Sequence, residues 1–315
     1  MNSSKIYHVN CATFCPMSRR VINGEGGWFQ SARLVCHCLI LELEGGLALI
    51  DTGLGTYDIA HAVQTCGPLW LPLMRPRLDL AETALAHVKR LGYSPEDVRD
   101  IVLTHLDFDH AGGLRDFPRA TVHVSTLEHK TATGSRTLWK SRRYAPVQWA
   151  HSPRWNLYLA GGGEWFGFGG VRAVEGLKSE VLMVPLHGHS VGHCGIAVKT
   201  GDTYLFHAGD AYFDYREVEP TGTMNPPVGV KAYQQVYQAD RDLRIRNQER
   251  LRELQRQFPG MVKVICSHDP HEMDEFVQPS APPTQSGVTP GRGASGRGRT
   301  PAAEERITHP RQVRR

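Results

Sequence analysis

The chain has no apolar run of about 18 residues, so it lacks the signal of a membrane-spanning helix. Its opening, MNSSKIYHVNCATFCP, has an early lysine but no apolar block behind it, so the pattern of a secretory signal is missing too. The expectation is a cytoplasmic protein with no membrane partner. An excess of one charge is also missing from most of the chain. The formal net charge is +4, but residues 279–315 hold seven arginines and two glutamates, which leaves the remainder at −1. A near-neutral body carries no electrostatic footprint for nucleic acid.

The 315 residues, 40% of them hydrophobic, suffice for a substantial core. The composition divides them into a body, 1–278, and a Pro/Gly/Arg-rich tail, 279–315. The tail has too few large apolar residues to offset its ordering entropy and is expected to be disordered. Any contact with nucleic acid is expected only through it, and a loose appendage is the favoured reading. The seven cysteines (Cys11, Cys15, Cys36, Cys38, Cys66, Cys194, Cys266) read as reduced thiols. The spacing of the first four suits small core residues better than a zinc site.

Strands and helices alternate along the body. LVCHCLILEL and LALIDTG, joined by EGG, predict a hairpin. Asp79 is placed to cap a helix with Glu82 in its capping box and Leu80, Ala84, Val88 and Leu91 on one face. DIVLTH, ATVHVS, EVLMVPLHGH, GIAVKTGDTYLFHAGD and MVKVICSHD read as strands, the fourth of these segments as two joined at Thr200–Asp202. Residues 232–258 read as one helix with an apolar stripe of Leu243, Leu251, Leu254 and Phe258. Residues 128–170, with many aromatics and glycines, suit either a substrate wall or an irregular packed excursion.

Several apolar runs end in metal-ligating residue types. THLDFDHAGG carries His105, Asp107, Asp109 and His110 within six positions. In an extended turn, 105, 107 and 109 share one side and His110 turns away, so four donors face two adjacent points. Two metals about 3.5–4 Å apart suit hydrolysis. Asp51, His189, Asp210 and His268 each follow another apolar run, and the ends of strands are where open α/β sites form.

As a set, LIDTG, THLDFDHAGG, HGHSVGHCG, FHAGD and CSHD resemble the metallo-β-lactamase fold superfamily over roughly residues 5–275. In layout the chain is similar to its quorum-signal (N-acyl homoserine) lactonase branch. The resemblance implies an α/β fold, a four-layer αββα sandwich, with a dinuclear site at one edge. It implies His105 and His189 on a first metal, Asp109, His110 and His268 on a second, Asp210 as bridge, and Asp51 orienting the ligands. His193 is expected to buttress the turn after His189. The motif departs from the family's His-x-His-x-Asp-His at Asp107. Asp107 is read as a ligand, although its extra charge leaves manganese or iron open beside the superfamily's usual zinc. The expected activity is hydrolysis of a carbonyl ester, a lactone first, of a small-molecule substrate by metal-bound hydroxide. Asp109 would steer a proton and Tyr212 would donate to the oxyanion or leaving group. A thioesterase of the glyoxalase II type and an iron-dependent oxidoreductase of the same fold are the alternatives.

Overall fold

The computed structural model describes residues 5–134, 143–159, 161–177 and 181–276; the tail lies outside them. Twelve described strands form two six-stranded sheets. The first runs in chain order: β1 (Lys5–Phe14), β2 (Leu34–Leu43), β3 (Gly46–Ile50), β4 (Val98–Val102), β5 (Thr121–Ser125) and β6 (Arg154–Tyr158). Pairing is antiparallel through β3 and parallel from there on. The second sheet is ordered β12-β11-β10-β9-β8-β7. Its members are β7 (Gly163–Trp165), β8 (Phe168–Ala173), β9 (Val181–Pro185), β10 (Cys194–Thr200), β11 (Thr203–His207) and β12 (Val262–Ile265).

Strands covered on both faces need apolar side chains at nearly every position, which is why they read as continuous runs. Leu39, Leu41, Ala48, Ile50 and Val102 of the first sheet meet Met183, Ile196, Val198, Leu205 and Ile265 of the second. The alternate residues face outward. Ile40, Leu49 and Ile101 pack beneath Ala84 and Val88 of the helix Ala84–Arg90. Val184, Phe206 and Val264 pack beneath Leu251 and Leu254 of the helix Arg241–Gln257. The result is the expected αββα layering.

Three expectations about elements are corrected. Asp79 caps only a single 3-10 turn, Leu80–Glu82; Thr83 then caps the helix Ala84–Arg90 by accepting from the Ala86 N–H. The single helix expected over 232–258 is two, Val228–Tyr237 and Arg241–Gln257. Gln238 is extended between them, Asp240 caps the second by accepting from the Leu243 N–H, and Leu243 lies exposed outside the stripe. Among its described residues, the segment 128–170 contributes strands as well as an irregular packed stretch around 143–153. Its β6 edges the first sheet and β7 edges the second. Trp165 and Phe168 are buried in the second sheet's outer core, and Tyr144, Trp149 and Trp155 pack on the first sheet's outer core.

Candidate metal centre

Each of the seven donors singled out in the sequence leaves the end of a strand. His105 follows β4; Asp107 immediately precedes the short helix Phe108–Ala111, which carries Asp109 and His110. His189 lies in the loop after β9, Asp210 after β11 and His268 after β12. The break between the two C-terminal helices holds the His189 loop. There the N–H groups of Ala239 and Asp240 donate to the Gly188 carbonyl, and that of Ala239 also to His189 O. Close backbone approach positions the other half. A Cβ on Gly112 would lie 2.2 Å from Asp58 Oδ2 and 2.4 Å from Gly53 O, so only glycine lets the LIDTG turn and the HAGG turn interlock.

Eight nitrogen and oxygen contacts define the cluster. Asp107 Oδ2 lies 3.2 Å from His105 Nε2 and 3.1 Å from His189 Nε2. Asp210 Oδ2 lies 3.8 Å from His105 Nε2, 3.3 Å from His189 Nε2 and 3.2 Å from His268 Nε2. Asp210 Oδ1 lies 3.3 Å from His110 Nε2. The Asp109 oxygens are 3.9 Å from His110 Nε2 and 3.7 Å from His268 Nε2. A tetrahedral site with bonds of about 2.0–2.1 Å has edges of about 3.3–3.4 Å, so these separations fit two ions that share Asp210. His105 Nε2, His110 Nε2 and Asp210 Oδ1 are buried with no hydrogen-bond partner among the described residues. Groups of that kind are costly unless something else satisfies them.

The other face of three of the four rings is fixed, while His189 Nδ1 is buried with no hydrogen-bond partner among the described residues. Asp51, at φ +56, accepts from the Thr104 N–H and hydroxyl at 2.8 and 2.7 Å and from His110 Nδ1 at 2.8 Å. The Thr104 hydroxyl, having donated to a carboxylate, accepts from His105 Nδ1 at 2.9 Å. His268 Nδ1 donates to Val35 O at 2.7 Å. These bonds place the protons on Nδ1 of His105, His110 and His268 and leave the Nε2 lone pairs of those three rings aimed at the cluster. His193 takes no place in it. Its Nδ1 donates to Leu186 O and its Nε2 accepts from the Asp210 N–H, which buttresses the turn.

Sequence reasoning missed two residues. Arg143, 2% exposed, forms a two-pronged pair with Asp107, Nε to Oδ1 at 2.9 Å and a terminal nitrogen to Oδ2 at 2.5 Å. It also donates to the carbonyls of His189 and Tyr237. Burial opposes the Asp107 charge, but Arg143 and then His105 hold its carboxyl well below the usual range. Glu128, fully buried, accepts from the Leu106 and Gly192 N–H groups and from the Ser190 and Tyr144 hydroxyls, so it ties the His105 turn to the His189 loop. Both sit in the segment read as a wall or excursion, and neither has a local spacing that marks it. Cys36, read as core, is buried, and its thiol lies within 4.8 Å of donor atoms of Asp109 and His268.

Tyr212 does not face the cluster. It is fully buried in the second sheet's outer core, and its hydroxyl donates to Glu272 Oε1 at 2.8 Å, so the role of proton donor to substrate is withdrawn. The tyrosine beside the donors is Tyr233. It lines a cavity with Phe14, Ile22, Leu34, Met74, Phe213 and Val230, and Asp109 and His268 form the polar end. Among the described residues of 128–170, none lines this cavity.

Comparison with known proteins agrees with this architecture. The model of the Metallo-beta-lactamase superfamily matches residues 32–246. A probable metallo-hydrolase of Mycobacterium tuberculosis is 35% identical over 266 residues, 84% of this chain and 80% of that protein. An N-acyl homoserine lactonase of Bacillus cereus is 29% identical over 132 residues, 42% of this chain and 52% of its own length. The structure of an N-acyl homoserine lactone hydrolase with the product N-hexanoyl-L-homoserine at its catalytic metal centre superposes with a TM-score of 0.62. It is 20% identical, and the match covers 87% of this chain and 97% of that one. A dizinc quorum-quenching lactonase gives 0.54 at 16% identity, with 86% and 92% covered. At such identities the likeness to the two structures shows the fold.

Proposed function

The chain belongs to the metallo-β-lactamase superfamily and is a metallo-hydrolase, and we propose that it cleaves a carbonyl ester, with a lactone bearing an apolar acyl chain as its substrate. The substrate class rests on one observation, the apolar cavity that ends at Asp109 and His268. Phe14, Leu34, Met74 and Val230 line it with hydrocarbon, and because its volume is only about 40 Å³ an acyl chain must part these side chains to enter. A phosphodiester would need cationic groups directed at the same place, and Arg143 is instead turned to Asp107. The lactone hydrolase of similar fold holds an acylated homoserine at its own metal centre, which fits this reading.

The donor set of imidazole nitrogens and carboxylate oxygens suits divalent ions, zinc first. We assign His105, Asp107, His189 and Asp210 to one ion, and Asp109, His110, His268 and Asp210 to the other. When bound, the ions supply Lewis acidity and a water of lowered pKa. The protein's own part is positional. Asp51 and Thr104 orient the His110 and His105 rings, the walls place the acyl chain, and Asp109, at the polar end of the cavity, takes up and returns a proton beside the scissile bond.

Hydrolysis of short- and long-chain acyl lactones, thioesters and phosphodiesters, with oxygen uptake followed in parallel, tests the proposal. Lactone opening should dominate, improve with acyl length, and disappear in His110→Ala and Asp210→Ala. Oxygen consumption by the iron-loaded protein, with no ester cleaved under any metal, overturns it.

A further inference from the structure

A carboxylate stands at Asp107 where the superfamily pattern has a neutral histidine, and it adds a negative charge to the first metal position. The structure also supplies the opposite charge. The Arg143 guanidinium grips both oxygens of Asp107, and the pair is buried, at 2% and 8% exposure. Asp107 Oδ2 faces His105 and His189 on one side and Arg143 on the other. Arg143 further donates to the carbonyl of His189 itself and to Tyr237 at the end of the helix Val228–Tyr237. The carboxylate is thereby fixed against one neighbouring ligand and charge-balanced at once. A planar guanidinium does this where an ammonium would not, because its fork matches both oxygens.

We infer that Arg143 is a positioning residue for the first metal, and that it neutralises Asp107 so that the Asp107–Arg143 pair stands in electrostatically for one neutral histidine. This rests on Asp107 being a ligand, as assigned above. It follows that aspartate and arginine are matched to each other rather than to the metal separately. Restoring the superfamily's histidine alone removes the carboxylate that the guanidinium grips and leaves an uncompensated positive charge beside the first ion, which is repelled. Removing the guanidinium as well returns the summed charge of positions 107 and 143 to its wild-type value.

The test is the binding of zinc and cobalt to wild type, Asp107→His, Arg143→Met and the double variant. The readouts are ion count, dissociation constants and the visible spectrum of the cobalt forms. Wild type should bind two ions. Asp107→His should bind the first ion at least about 100-fold more weakly, and adding Arg143→Met should recover most of that loss. Arg143→Met alone should retain both ions, but with its preference shifted from zinc toward manganese, as befits an uncompensated carboxylate. A merely structural arginine would not be rescued by a change at its partner. Asp107→Asn, with and without Arg143→Met, repeats the comparison with a side chain of unchanged size. Wild type binding no ion defeats the metal-site reading itself. Wild type binding two, with Asp107→His as tight as wild type or the double variant no tighter than Asp107→His, defeats only the matching of Arg143 to Asp107.

Discussion

At the scale of single residues, the cluster is organised by what stands behind the donors. Asp51 accepts three hydrogen bonds, and two of them decide ring orientation, directly at His110 and through Thr104 at His105. Its backbone is in the left-handed region, which aspartate tolerates better than most residues. Asp51→Ala should therefore weaken metal binding by about 10–100-fold, the usual cost of losing a ligand's orienting partner. Turnover at saturating zinc should fall less than turnover at trace zinc, and metal-dependent rate measurements read both. An unchanged dissociation constant would mean that the rings hold their orientation without it. Arg143 has the same kind of role for Asp107, and it changes the argument about chemistry. An unbalanced carboxylate would favour iron or manganese, but a balanced one leaves zinc hydrolysis as accessible as three histidines would.

At the scale of elements, most of the site was legible because the fold repeats one device, an apolar strand ending in a donor. His105, Asp210 and His268 each follow a run that had to be a buried strand, and Asp51, another strand-end residue, could be placed beside them in the same way. What escaped the sequence depends on pairs distant along the chain. Arg143 lies in a run of basic residues that reads as a solvated surface, and only the fold brings it against Asp107. Glu128 looks like an ordinary first-turn helix glutamate until the His189 loop closes over it. The break at 238–240 is hidden because the polar composition runs through it unchanged, yet its N–H groups hold the carbonyls of the His189 loop. The interlocked glycine turns were visible as motifs but not as contacts. Gly112→Ala should push the Phe108–Ala111 helix off the Gly53 carbonyl, costing about 1–3 kcal/mol of stability and disturbing Asp109 and His110 together. Denaturant unfolding and ion count, measured on the same sample, should fall in parallel. A stable variant with a full complement of ions would show that the two turns can separate without moving the donors.

At the scale of the whole molecule, two sheets pack through one shared core, and the loops at the ends of their strands converge on Asp210, which lies within 3.8 Å of all four histidine donors. The wall of the cavity comes from Phe14 of β1, Ile22, Leu34, Met74, Phe213 and the helix Val228–Tyr237, while the described aromatics of 128–170 are spent on sheet edges and cores. Among the described residues no helix is long and apolar enough to cross a membrane. We propose that the protein opens an acyl lactone with two ions held in this cluster. The most direct test is stepwise zinc loading of metal-depleted protein, with bound ions and ring opening measured on the same samples. Two ions should bind per chain, with full lactone turnover reached only as the second site fills. Absence of bound zinc, or two ions held with no lactone or other ester opened, would contradict it.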